Sequence, residues 1–288
     1  MNDAMVFLFN AFPRLGEKRL FPRYARLVFF LAFFLMCAGQ IVGCATTVSS
    51  SGSKADILTA SDETEGQKRA KIRLELALGY LEQGQVTIAL DETKQAIAAD
   101  PTSADGYNLR GLIYMRMNDL GLARDSFARA LTLDPKDGNI FHNYGWLFCQ
   151  ESRYAESLVY FDRALTSPSY NGQAKTLLAK GVCQLRMGSK TQAEGNFLRS
   201  FELDAGNPIT TFNLASLLYQ RNELVRAQFY IRRLNSSDYA NAESLWLAAK
   251  IEKKLGNNEG VVQLVDRLKK RFPGSNELTL FERGAFNE

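Results

Sequence analysis

The chain holds four cysteines and a single histidine among its 288 residues, and where they stand limits the chemistry they can do. His142 has no second imidazole with which to share a metal, and no His-Glu-x-x-His spacing surrounds it, so no metal site is expected. It reads as a groove or surface residue. There is no Gly-x-Ser-x-Gly elbow to raise a serine nucleophile and no glycine-rich loop to cradle phosphate. No carboxylate pair stands apart from the ordinary charges of solvated helices. The chain is therefore expected not to be an enzyme, to take no small-molecule substrate and to need no cofactor. What remains is thiol chemistry, with Cys37 and Cys44 in and after an apolar N-terminal run and Cys149 and Cys183 far downstream.

The N-terminal pair is framed by charge. Arg14, Lys18, Arg19, Arg23 and Arg26 stand against one acid, Glu17, and the run from Leu27 to Gly43 carries no charge at all. A basic region followed by such a run is an export signal. Its end, Ile41-Val42-Gly43-Cys44, resembles the bacterial lipoprotein lipobox, in which a small residue precedes the cysteine that is lipidated and becomes the new N-terminus. Met36 makes Cys37 a poor match. The resemblance implies a signal peptide over 1–43, a lipid on Cys44, and attachment by several acyl chains, which is stable where one chain alone holds only marginally. In the families this resembles, an Asp after the cysteine tends to retain the protein in the inner membrane; Ala45 stands there, so the periplasmic face of the outer membrane is implied. The alternative is an uncleaved helix with Cys44 as an ordinary apolar residue. Residues 44–69, rich in Ser, Thr and small side chains, are expected to form a flexible tether with an end-to-end distance of roughly 25–30 Å.

The elements behind the tether follow from composition and period. An apolar content of 46% excludes whole-chain disorder. The net charge of +4 is interleaved, without a basic block, and residues 1–43 contribute five bases against two acids, so a nucleic-acid partner is not expected. Alternation of period 2 is missing, which excludes an all-β fold. From Ala70 onward the chain aligns with itself, with starts at Ala70, Ala104, Gly138, Ala174, Pro208 and Ala242, spaced by 34 residues except for one interval of 36. This is the tetratricopeptide period. It predicts an all-α, right-handed superhelical solenoid of six tetratricopeptide repeats over 70–275, with a capping segment over 276–288 that carries Leu278, Leu280, Phe281 and Phe286.

Position 8 of the repeat must be small where its two helices meet, and it holds Ala77, Gly111, Gly145, Gly181, Ala215 and Ala249. Position 20 holds Ala89, Ala123, Ser157, Ala193, Ala227 and Val261, and position 24, the filler, holds Thr93, Phe127, Phe161, Phe197, Ile231 and Val265. Pro101, Pro135 and Pro273 end second helices, and Asp100, Asp134 and Asp204 precede the turns.

In tetratricopeptide stacks the first helix of each repeat lines the concave side, and by that resemblance positions 2, 5, 9, 12 and 13 face the groove. Those positions supply Leu74, Leu78, Leu81, Leu112, Met115, Trp146, Leu178, Leu185, Phe212 and Tyr219, an apolar stripe suited to an amphipathic helix or apolar peptide segment. The same side chains could equally pack against neighbouring helices. Repeat 6 departs from the stripe, with Trp246 among Lys250, Lys253 and Lys254, and the residues at position 9 do not make a carboxylate clamp. Cys149 and Cys183 fall on first helices of adjacent repeats, which permits either a disulfide or two buried thiols filling the interface.

Asn143-Tyr144-Gly145-Trp146-Leu147-Phe148-Cys149 with Arg153-Tyr154, and Gly181-Val182-Cys183 one repeat on, resemble the PilF/PilW family of type IV pilus biogenesis lipoproteins. With the lipobox and the repeats, the resemblance covers residues 44 to about 275. It implies a non-enzymatic outer-membrane pilotin whose partner is the type IV pilus secretin subunit, bound in the groove so that its localisation and multimerisation are promoted. The alternative use of such a scaffold is a lipoprotein adaptor for cell-wall enzymes.

Overall fold

A ring pressed onto a glycine sets the helix spacing in the central repeats. A Cβ built on Gly111 would lie 2.6 Å from the Phe127 ring, one on Gly181 2.5 Å from Phe197, and one on Gly145 2.9 Å from Phe161. All three rings are fully buried. In repeats 1, 5 and 6 position 8 is alanine, and its position 24 companion shrinks to Thr93, Ile231 or Val265. Where position 8 carries a Cβ, the room a ring would need is taken, so the filler is smaller, as close packing demands.

The computed structural model describes residues 62–286, and within them the chain forms thirteen α-helices and no strand. Six hairpins follow one another: α1 (Glu65–Glu82) with α2 (Val86–Ala99), α3 (Ala104–Arg116) with α4 (Leu120–Leu133), α5 (Gly138–Gln150) with α6 (Tyr154–Thr166), α7 (Gln173–Arg186) with α8 (Lys190–Leu203), α9 (Pro208–Gln220) with α10 (Leu224–Asn235), and α11 (Ala242–Lys254) with α12 (Asn258–Arg271). A last short helix, α13 (Asn276–Glu282), packs on α11 and α12. The export signal, Cys37 and Cys44 lie outside the described residues. Among the described residues no helix is long and apolar enough to cross a membrane.

The start of α1 corrects the expected tether. Thr64 and Gln67 form a capping box, the Thr64 hydroxyl accepting from Gln67 N–H (3.2 Å) and the Gln67 side chain accepting from Thr64 N–H (2.8 Å). Residues 65–69 are therefore helical, and the Ser and Thr content that reads as tether ends in a helix-starting signal.

The turn inside each hairpin is reached through a left-handed residue at position 15: Gly84, Asn118, Ser152, Gly188, Asn222 and Gly256, all with φ between 60° and 86°. The next N–H returns to the carbonyl five residues back in every repeat, as from Arg153 to Phe148 at 2.9 Å, and so closes the helix end. Only Ser152 is neither Gly nor Asn. Between hairpins, the Asp100, Asp134 and Asp204 carboxylates accept from backbone N–H groups two residues on, at 2.9, 3.1 and 3.1 Å. Ser103, Asp137, Asn207 and Asn241 then cap the following helices.

The 36-residue interval has its own structural content. The longer turn between α6 and α7 drops Tyr170 into the stack, where its ring fills the space over Gly138 and packs with Phe141 and Ala164. First helices of neighbouring repeats touch one another, α1 with α3, α3 with α5, α5 with α7 and α9 with α11, whereas no two second helices pack to a comparable extent. First helices thus form the inner layer and their outward faces line the groove.

Candidate partner-binding groove

Position 9 carries the accessible row of the groove. Leu78 is 37% exposed and Leu112, Trp146 and Val182 are half-buried, one residue per repeat across repeats 1 to 4. Leu74, Leu185, Phe212 and Tyr219 are also half-buried and extend the apolar surface along the inner layer. Val182 belongs with this row by its repeat position.

Three residues expected in the groove are not available to a partner. Leu81, Met115 and Leu178 are 4%, 3% and 1% exposed. Met115 shows the reason, because its side chain packs with Phe127, Tyr144, Leu147 and Phe148, between α3 and the next hairpin. Position 12 in the first three repeats, which includes Cys149, is taken up by helix packing. These side chains hold the wall of the groove.

His142 likewise is no groove residue. It is 5% exposed, its Nδ1 lies 2.8 Å from the Thr176 hydroxyl, and that hydroxyl lies 2.6 Å from the hydroxyl of Tyr170. Burial, with the nearby charge of Lys175, holds the imidazole well below its ordinary value, so the ring is neutral at pH 7. Burial also lowers Lys175 and pushes the Tyr170 phenol up to about 12. The chain of hydroxyls and imidazole ties α5 to α7 and gives each buried polar group a partner.

Cys149 and Cys183 meet across the same two helices. Both are buried free thiols, packed with Phe161 and Ala179, and the Ser157 hydroxyl lies 3.3 Å from the Cys183 sulfur. The hydrogen bond to Cys183 and burial push the Cys149 thiol up, so it is held protonated.

Polar groups border the apolar row. The Arg186 guanidinium sits 5.2 Å over the Trp146 ring, and the Asn143 amide donates to Asn108 Oδ1 at 3.0 Å. Burial, with Asp137 and Asp134 nearby, raises the Asp105 carboxyl from its ordinary value. An apolar strip with a cation on its central indole and amides at its edge can hold an extended or helical peptide segment by area and orientation.

The fold and this face have close counterparts. The tetratricopeptide repeat family matches residues 74–138. The type IV pilus assembly protein PilF of Pseudomonas aeruginosa is 27% identical over 250 residues, covering 86% of this chain and 96% of that protein. The crystal structure of PilW, described as a widely conserved type IV pilus biogenesis factor, superposes with a TM-score of 0.67 at 30% identity, covering 74% of this chain and 97% of PilW. The chain belongs to the PilF/PilW family. The structure of Pseudomonas aeruginosa PilF agrees, with a TM-score of 0.68 at 25% identity over 77% of this chain and all of that one. Membership makes the protein a tetratricopeptide-repeat factor of type IV pilus biogenesis that works through protein–protein contact. On α5, Trp146 is half-buried in the position 9 row, Gly145 lies against the Phe161 ring and Cys149 packs with Phe161, Ala179 and Cys183.

Proposed function

We propose that the protein is an outer-membrane lipoprotein pilotin, anchored through Cys44, that binds a segment of the type IV pilus secretin in the groove of repeats 1 to 4 and promotes its multimerisation at the outer membrane. The observation that carries this reading is the accessible apolar row Leu78, Leu112, Trp146 and Val182 on the inner layer of a pilus-biogenesis scaffold. Its mechanism is mass action. Secretin monomers confined beside the membrane have a higher effective concentration for ring closure, and no bond is made or broken. Export supplies a second consequence, since thiols already in contact meet an oxidising compartment, where Cys149 and Cys183 are expected to join. Intact mass without reductant should then be two hydrogens below the reduced mass; equal masses would leave the pair as packing thiols.

Deleting the gene and following the secretin on a gel that preserves heat- and detergent-resistant multimers tests the proposal. Multimers should disappear, pilus-dependent twitching motility with them, and complementation with Cys44→Ala should leave secretin monomers away from the outer membrane. Normal multimers in the deletion strain would sink the pilotin reading and leave an adaptor for cell-wall enzymes in its place.

A further inference from the structure

Arginine stands at position 26 in repeats 2 to 6, as Arg129, Arg163, Arg199, Arg233 and Arg267. In three of these repeats its guanidinium lies over an aromatic ring: Arg129 is 5.7 Å from the Tyr107 centroid, Arg163 is 4.0 Å from Phe141, and Arg233 is 5.4 Å from Phe201. In repeats 3 and 5 further rings fill the space where one hairpin meets the hairpin before it. Tyr160, at position 23 of repeat 3, lies 4.8 Å from Tyr144 and 5.3 Å from Phe148. Tyr230, at position 23 of repeat 5, meets Phe201 edge-on at 5.2 Å.

Repeat 6 keeps the arginine and loses these rings. Its position 7 is Ala248 where repeat 3 has Tyr144, its position 23 is Leu264 where repeats 3 and 5 have Tyr160 and Tyr230, and position 28 of the repeat before it is Asn235 where Phe201 stands one repeat earlier. The vacated space is a cavity of about 500 Å³ between α10, α11 and α12. Ala248 and Leu264 give it an apolar wall, Arg267 lines it half-buried, and Asn235, Ser236 and Gln263 add polar groups. The Arg267 Nη2 donates to the Asn235 carbonyl at 2.8 Å, which fixes the guanidinium in place. The cavity's other charges balance. Glu252, buried in the wall, already accepts from Gln228, Arg232 and Asn257 at 2.8 to 3.1 Å, and Arg232 and Arg267 are matched in number by Glu252 and Glu259. A neutral ligand therefore fits better than an ion. Positions 7 and 9 are about 200° apart around a helix, so the cavity opens on the side of α11 away from the groove.

We infer that this cavity is a second docking site, one that takes a tyrosine side chain presented by another protein. The incoming ring rebuilds in trans what repeats 3 and 5 build from their own residues: it rests on Ala248 and Leu264 with the Arg267 guanidinium over its face. Its hydroxyl stays at the rim, beside Ser236 and Gln263, which can exchange hydrogen bonds with a phenol and have nothing to offer the end of a phenylalanine ring. A single aromatic anchor seated in a pocket is the common centre of a protein–protein contact. The site stands apart from the position 9 row and does not depend on the identity of the partner bound there.

The test titrates the whole protein, by fluorescence anisotropy, with a fluorescein-labelled Ser-Gly-Tyr-Gly-Ser peptide and with versions carrying Phe or Ala in place of Tyr. The Tyr peptide should bind saturably below about 1 mM, the Phe peptide about fivefold more weakly for want of one hydrogen bond, and the Ala peptide at least about tenfold more weakly. Leu264→Tyr gives repeat 6 the position 23 residue of repeats 3 and 5, and should fill the cavity, cut binding at least about tenfold and hold or raise the melting temperature. Ser236→Phe, at an exposed rim position, should block the cavity in the same way without touching the core. Trp146→Ala, in the groove, should leave binding of this peptide within about twofold. The inference is overturned by equal binding of the Tyr and Ala peptides, by the absence of saturable binding, by full binding in either cavity variant with its melting temperature intact, or by a loss in Trp146→Ala.

Discussion

Repeats 2 to 4 and repeats 5 and 6 are built to one plan with opposite choices. The central hairpins pair glycine with phenylalanine, present an accessible apolar row, and bury a polar network and two thiols between first helices. The last two pair alanine with Ile231 and Val265, gather lysines around Tyr219 and Trp246, and hide that tryptophan under the C-terminal segment. The difference teaches that the period specifies the scaffold alone. The positions the scaffold leaves unspecified differ in exposure and charge between the two regions, so one solenoid presents different side chains along its length.

The largest expected effect separates the two regions. Trp146→Ala should weaken binding of the groove partner by about 2 kcal/mol or more, roughly thirtyfold, as a half-buried aromatic anchor would, while Tyr219→Ala should leave it within twofold. Pull-down titrations with both variants, checked for folding by circular dichroism, decide it; equal losses would erase the proposed division.

Gly181→Ala should destabilise by about 1–3 kcal/mol, because its new Cβ meets the Phe197 ring. Adding Phe197→Ile, the filler of repeat 5, should recover part of that loss. Urea denaturation of the two single variants and the double variant measures the coupling. Additive losses would show that the glycine and the ring are not matched.

A third contrast is in pH. The folded-state value of His142 lies below its ordinary 6.5, so on acidification the unfolded chain takes up a proton that the folded chain refuses. Stability is fully present above about 6.5 and should fall below it by up to about 1.4 kcal/mol per pH unit. Hydrogen exchange should show the loss in α5 and α7 while α9 to α12 keep their protection, given how independently repeats open. His142→Asn should remove the slope, and a slope that survives it refutes the assignment.

The smallest effect concerns the left-handed turn. Ser152→Gly should raise stability by about 0.5–1 kcal/mol, and Gly256→Ser at the matching position of repeat 6 should lower it by a similar amount. Thermal melts of both suffice, and a loss on Ser152→Gly would mean that the serine makes a contact outweighing its backbone strain.

Much of this was legible residue by residue. The small residues at position 8 announce the hairpins, and the Gly, Asn and Ser at position 15 carry a signal for the left-handed turn that the 34-residue period does not by itself single out. The two extra residues in the third interval marked an irregularity without saying that Tyr170 would be buried by it. Leu81, Met115 and Leu178 are buried although their repeat positions face the groove, because a shared repeat position does not mean a shared environment: the neighbouring side chains decide whether a leucine is wall or surface. His142 is buried for a related reason, its partners Thr176 and Tyr170 being supplied from beyond its own hairpin.

The chain's own pattern of small and apolar residues determined the fold class and the family, since each rests on local helix geometry and a spacing that recurs. Exposure was decided only by the tertiary structure. Whether position 5 is open at Leu74, buried at Leu178 or covered at Trp246 depends on contacts between repeats and with a terminal segment that has no period, and free energy of burial belongs to those contacts, not to the residue type.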